Sequence, residues 1–157
     1  MSAIQKIAVS GKTENVMNLM REFAALKNGI GVIYQGGRGP DGREAIYRIE
    51  FKPGPADGRP EPLIEEFVLA PEEKLACGFL SWPNGYRWGT LSPGSEILAY
   101  ALILDAVGDK SAALRHRLQF AKRFVFTWGT HWAIHAHQVR NWIEQKEFYI
   151  NGGAHGN

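Results

Sequence analysis

One cysteine, Cys77, among 157 residues has no partner within the chain. An internal disulfide framework and a cysteine-built zinc module are therefore excluded, and a lone thiol fits a reducing compartment. Charge of one sign is scarce as well. Lys and Arg number 18 against 16 Asp and Glu, a formal net charge of +2. That is too little for binding that rests mainly on neutralising phosphates, and the chain is no acidic mimic of DNA either. Long hydrophobic runs are missing. The longest, residues 97–107, is broken by Asp105 and falls short of the roughly 20 residues a membrane span requires. No apolar stretch of secretory length follows Met1, so neither export nor a membrane role is expected, and the protein is placed in the cytoplasm.

What is present suffices for a core. The chain is 45% hydrophobic and holds eight Phe, five Trp and five Tyr, which excludes wholesale disorder. The length fits one domain, or a domain with a small appendage.

Thr13 is placed as a helix N-cap, and Val16, Leu19, Met20, Phe23 and Leu26 recur at three- and four-residue spacing before Asn28-Gly29. This predicts a helix over 14–27. From Gly31 the period changes. Residues 32–34 and 45–51 are β-rich and flank the glycine-rich stretch 36–42, a hairpin with a long tip. Four of the eight prolines fall in residues 53–62, which read as an exposed loop. A third strand is predicted over 63–69, then an irregular stretch over 70–91 whose aromatics fold down over the sheet. Ser92-Pro93 opens an apolar helix that ends at Gly108, Asp109 caps a second helix to about residue 126 with Leu114, Leu118, Ala121 and Val125 inward, and a last helix covers 136–146 with Val139, Trp142 and Ile143 inward. The class is α+β: a small antiparallel sheet of about three strands packed by a C-terminal helical half, with an extra N-terminal helix. The organisation is an add-on helix over 1–29, one domain over 30–150 and a flexible tail over 151–157.

Several residue groups invite chemical readings. Ser10-Gly11-Lys12-Thr13 ends like a phosphate-binding loop, but the first glycine of that pattern falls at Lys6 and too few residues precede it for a feeding strand, so a helix cap is the better reading. His131, His135 and His137 lie within seven residues and are of the right type for a metal, as in a small hydrolase or nuclease. No Glu stands between His131 and His135 as a metalloprotease base, and Trp128-Gly129-Thr130 interrupts the helix that would align them; surface or capping histidines are the alternative. Asp109 is explained by capping. Asp105, inside an apolar helix, reads as a buried carboxylate paired with Arg115 or Arg87 rather than a general acid or base. Cys77 reads as buried and inert. Arg115, His116, Arg117, Lys122 and Arg123 form the one dense basic group, with Trp128 and Trp132 after it. They suit single-stranded nucleic acid or, more simply, a solvated helix face. Arg38 and Arg43 on the hairpin tip, Arg59 in the Pro-rich loop, and Trp82, Tyr86 and Trp88 are residue types enriched at protein-binding hot spots, although the aromatics also suit a core.

The stretch from Tyr34 to about Glu144 resembles a small family of uncharacterised domains found mostly in bacteriophages and other mobile elements. The matching residues are Tyr34-Gln-Gly-Gly-Arg38, then Gly85-Tyr86-Arg87-Trp88-Gly89 with Ser92-Pro93-Gly94, then the helix from Leu98 to Asp109. Trp132, Ile134 and Val139-Arg140-Asn141-Trp142-Ile143 complete the likeness. Thr90-Leu91 stands where the family carries glycines, and the N-terminal helix and the 53–62 loop look like additions. The resemblance implies a phage or mobile-element accessory protein of the host bacterial cytoplasm and brings no known chemistry. The expectation is a non-enzymatic protein that binds and blocks a host protein or defence complex such as CRISPR. It needs no cofactor and presents Arg38, Arg43, Arg59, Trp82, Tyr86, Trp88, Arg115, Lys122 and Arg123. The alternatives are the histidine metal site and nucleic-acid binding through residues 115–123.

Overall fold

The computed structural model describes residues 31–53 and 60–149. The helix expected over 14–27, the Ser10-Gly11-Lys12-Thr13 stretch, Arg59 and the 151–157 tail lie outside the described residues. The chain forms two compact units, one holding the residues up to Phe67 with His131–His135, the other Val68–Thr130 with the residues from Ala136 on. The class is α+β, with the strands in the first unit and the helices in the second.

The sheet comprises β1 (Gly31–Arg38), β2 (Glu44–Pro53), β3 (Pro60–Glu66) and β4 (Trp132–His135), in the order β3-β2-β1-β4 with every pair antiparallel. β1 and β2 pair with Ile33 opposite Ile49 and Arg38 opposite Glu44. Residues alternate across a strand, and Ile33, Ala45, Tyr47, Ile49 and Phe51 gather with Ile64 and Ala133 into one apolar cluster. Tyr34, fully buried, lies 5.8 Å from the Phe67 ring. β3 carries Pro60 and Pro62. Among the described strands β3 lies at the edge of the sheet, beside β2 alone, where prolines are tolerated.

The glycine-rich stretch is shorter as a tip than the sequence implies. Gly36 and Gly37 belong to β1, opposite Ile46 and Ala45, and the turn itself is residues 39–43. Gly42 N donates to Gly39 O at 2.9 Å, and Arg43 N donates to Asp41 Oδ1 at 3.0 Å. Gly36 is in the strand for a steric reason. Trp132 faces it from β4, and a Cβ on Gly36 would overlap the indole ring. We expect Gly36→Val to lower stability by about 1–3 kcal/mol in chemical denaturation. An unchanged midpoint would show that Trp132 does not occupy this space.

In the helical unit, α1 (Pro71–Cys77) rises within the stretch expected to be irregular. Pro71 signals a break, yet at the first turn its missing N–H costs nothing, and Glu72 and Glu73 suit the positive end of the helix. α2 (Pro93–Val107) starts at Ser92, whose Oγ accepts from Ser95 N, and ends at Gly108. Its residues from Gly94 to Ile103, Glu96 apart, are buried, because α1, α3 (Lys110–Arg123), a 3-10 turn (Val125–Thr127) and α4 (Ala136–Glu147) pack around it. Gly94 permits this approach, since a Cβ there would lie 2.8 Å from Gly85 O and from Arg87 Cγ. The Gly85-Tyr86-Arg87 and Ser92-Pro93-Gly94 segments singled out in the sequence thus meet at the start of α2. No helix among the described residues is long and apolar enough to cross a membrane.

Two burial expectations fail. Asp105 is exposed: full burial along α2 ends at Ile103, Leu104, Ala106 and Val107 are half-buried, and Asp105 falls on the outer side of this last turn. The inward face of α3 is as expected only at its end: Ala121 and Val125 are buried, but Leu118 is 43% exposed and Leu114 half-buried, and Ala112, Ala113, His116 and Phe120 are buried in their place. The two small alanines let α3 lie close to α2, and this turns His116 and Phe120 toward α4. The helix proper stops at Arg123, and the chain continues as the 3-10 turn, where Val125 O accepts from Gly89 N at 2.9 Å.

Candidate functional site

The dense basic group lies on α3, which Asp109 caps by accepting from Ala112 N at 3.3 Å. The structure divides its members. Arg115 grips the Glu147 carboxylate through Nη2 at 2.5 Å and Nε at 3.3 Å. His116, 2% exposed, donates from Nε2 at 3.0 Å to Oε2, the same carboxylate oxygen that Arg115 Nε meets. Arg117 Nε lies 3.4 Å from Glu96 Oε1, tying α3 to α2. These three residues are structural ties. Lys122 and Arg123 are exposed, with Arg123 stacked over the Phe124 ring at 4.8 Å from its centroid. Leu118 and Phe126 are 43% and 48% exposed beside them.

Glu147 is the functional surprise of this unit, for the sequence reading never named it. It falls on the row Val139, Ile143, Glu147 of α4, whose first two members are buried, so a carboxylate there is carried inward to meet His116. The His116 and Arg115 hydrogen bonds hold its carboxyl below the ordinary value of 4.5. Behind this clamp an aromatic row rises from α3 against Trp142 of α4. Phe120 lies 4.8 Å from Phe124 and 5.4 Å from Trp142, and His116 meets Trp142 edge-on at 6.3 Å. Lys146 covers the indole at 5.1 Å.

A second polar group sits on α1 and the loop after it. Tyr86 OH donates to Glu73 Oε1 at 2.5 Å. Burial raises the Glu73 carboxyl against the lowering effect of that bond, and burial beside Glu73 drives the Tyr86 phenol far upward. Cys77 is buried, which pushes its thiol up to about 11 and leaves little nucleophilic thiolate at neutral pH. Lys74 Nζ donates to Trp82 O at 2.6 Å, and Trp82 Nε1 to Gly85 O at 3.0 Å. Tyr86 is thus an interior anchor, whereas Trp82 and Trp88 are half-buried.

The other expected contact residues are scattered. Arg38 pairs with Glu44 at 3.6 Å and Arg43 with Glu66 at 2.8 Å, both on the exposed hairpin of the sheet unit. His131 precedes β4, His135 ends it and His137 lies in the first turn of α4. Among the described residues no group of three His, Cys, Asp or Glu side chains is placed to hold a metal ion.

Where the start of α3 meets the end of α4 there is an open depression of about 480 Å³, with Val107, Ala112, Ile143 and Phe148 as its apolar lining and Asp109, Glu144 and Glu147 as its acidic part. A second, of about 610 Å³, lies across Phe148 and includes Tyr149. Phe148 and Tyr149 are 66% and 73% exposed.

Residues 66–145 match DUF6166, described as a family of unknown function. The match begins at the end of β3 and runs through α1, α2, α3 and β4 into α4, stopping before Glu147, so the Tyr34-Gln-Gly-Gly-Arg38 strand included in the sequence resemblance lies outside it. Neither the curated proteins nor the solved structures yield a match.

Proposed function

The chain belongs to DUF6166, a family of unknown function, and we propose that it is a phage or mobile-element accessory protein that binds a host protein and blocks a defence assembly in the bacterial cytoplasm. The contact is the outer face of α3. The observation that carries this reading is the grouping of Leu118, Lys122, Arg123 and Phe126 at the surface, while Arg115, His116 and Arg117 of the same helix are held by internal carboxylates. Arginine and aromatic side chains beside apolar surface are what binding hot spots are made of, and the two cations select an acidic partner face.

The same sorting weakens nucleic-acid binding. Three free cations on α3, Lys110 at its start and Lys122 and Arg123 at its end, correspond to about three phosphates and a log–log salt slope near −3, shallower than that of proteins that rest on phosphate contacts. The exposed apolar pair Leu118 and Phe126, one on each side of Lys122-Arg123 in sequence, suits a protein surface better than a solvated phosphate backbone.

The test is co-elution of the purified protein with purified candidate defence complexes, CRISPR effector complexes first. Saturable binding at fixed stoichiometry is expected, weakened at least about a hundredfold by Lys122→Glu with Arg123→Glu, as expected when like charges face each other across an interface. Elution apart from every candidate, or binding indifferent to that reversal, would overturn the reading.

A further inference from the structure

We infer that residues 14–27 of this chain, helical by their spacing, lie along one face of the sheet antiparallel to β1 and seal it. The register defines that face. Ile33 stands opposite Ile49, Gln35 opposite Tyr47, Gly31 opposite Phe51 and Gly37 opposite Ala45, and Ile64 and Ala133 continue the same side onto β3 and β4. Ile33, Ala45, Tyr47, Ile49 and Phe51 are between 0% and 9% exposed. Side chains stand roughly perpendicular to a sheet, so neighbours on the same face screen them only from the side. Burial this deep needs a second layer. Among the described residues, however, the partly buried apolar side chains packed against the cluster are Ile64 and Ala133, which belong to the sheet itself.

Composition selects the segment that supplies the layer. Residues 54–59 have no large aliphatic or aromatic side chain and residues 150–157 have one, Ile150. Val16, Leu19, Met20, Phe23 and Leu26 instead fall on one side of a helix, with Glu14, Asn18 and Arg21 opposite. A helix that short is marginal in water and is stabilised by packing such a side against something. The dimensions agree. A helix over 14–27 runs about 21 Å, and the eight residues of β1 about 26 Å. At about 10 Å across, a helix spans two strands spaced about 4.8 Å apart. The fully buried apolar members lie on two strands, β1 and β2, while Ile64 and Ala133 on the flanks are half-buried; His135, paired with Ile33, is buried beside it. Asn28, Gly29 and Ile30 join the segment to β1, a connection of the usual length between a helix and the strand it packs on. So short a tether holds the segment at an effective concentration on the order of millimolar, which favours it over a second copy or a host protein. The segment is thus a layer of the fold, and the face is closed to outside partners.

Nuclear Overhauser spectroscopy on the unaltered full chain, labelled with carbon-13, tests this without relying on a variant that folds. Cross-peaks are expected from the Phe23 ring to the methyl groups of Ile33 and Ile49, and the Leu19 and Leu26 methyls should shift upfield under the Tyr47 and Phe51 rings. Mixing labelled with unlabelled protein separates contacts within one chain from contacts between copies. As a second readout, Phe23→Asp should raise the fluorescence of anilinonaphthalene sulfonate severalfold, the sign of uncovered apolar surface, and lower the urea midpoint. Arg21→Asp, on the opposite side of the helix, should leave both near wild type. Cross-peaks that appear only between copies, none from Phe23 to the sheet, or a Phe23→Asp variant that behaves like Arg21→Asp would overturn the inference. Host binding through α3 is read by co-elution and stands or falls independently of these results.

Discussion

Truncating Phe120 to alanine should destabilise the helical unit by about 3–5 kcal/mol, among the larger effects open to a single substitution. Its ring is fully buried and touches Phe124, the residue just past the end of its own helix, and Trp142 across the α3–α4 contact. The loss combines the transfer free energy of the ring with the cavity left at a site that is 0% exposed. Chemical denaturation followed by Trp fluorescence reads the effect, and Phe120→Leu should recover roughly half of it by refilling volume without restoring the aromatic edges. A loss below about 1 kcal/mol would mean that α3 and α4 do not meet at this ring.

Replacing Glu147 with alanine should cost about 2 kcal/mol. The charge pair with exposed Arg115 adds little to this, because such pairs are screened by solvent. The larger part comes from His116, left buried without its acceptor. Replacing both partners, His116→Leu with Glu147→Leu, should be far milder than Glu147→Ala alone, since no polar group is then stranded. A double variant as damaged as the sum of the singles would refute the coupling.

The acid dependence carries its own sign. Because Glu147 is held below 4.5 in the folded protein, its stabilising contribution is complete above that value and disappears as pH falls through the lower, folded value. Glu73 acts in the opposite sense, since its raised carboxyl favours the folded state as it takes up a proton. The difference between wild type and Glu147→Gln isolates the first from the second. That difference should shrink toward zero in acid, and a difference constant from neutral pH into acid would contradict the arrangement.

What the sequence discloses depends on how local each cause is. The caps of α2 and α3 are legible because Ser92-Pro93, Gly108 and Asp109 act on their own few residues. The β1–β2 hairpin is legible for the same reason, though the length of its strands is not: Gly36 looks like a turn residue until Trp132, almost a hundred positions later, is found lying over it. β4 has four residues, too few for an alternating pattern to register, and it forms by pairing with a distant strand. α1 was concealed by its leading proline.

The candidate face was half legible. Residues 115–123 stand out as basic from composition alone, but composition does not separate the cations tied to a carboxylate from those left without one. That division is made by Glu147 and Glu96, which reach α3 through tertiary packing. The inward faces of α4 and α3 show the contrast. Val139 and Ile143 follow apolar spacing, whereas on α3 Leu118, which advertises a core face, is turned outward, Leu114 is only half-buried and the histidine is turned in.

That this protein acts by occupying a partner's surface is tested most directly by titrating it into a fixed amount of a purified defence complex that it binds and following the activity of that complex. Activity should fall linearly to its floor at a fixed equivalence of bound protein, and the Lys122→Glu, Arg123→Glu variant should leave it untouched. Loss of activity at a small fraction of one equivalent, progressing with time, would mean that the protein turns over a substrate, and the occlusion reading would be wrong.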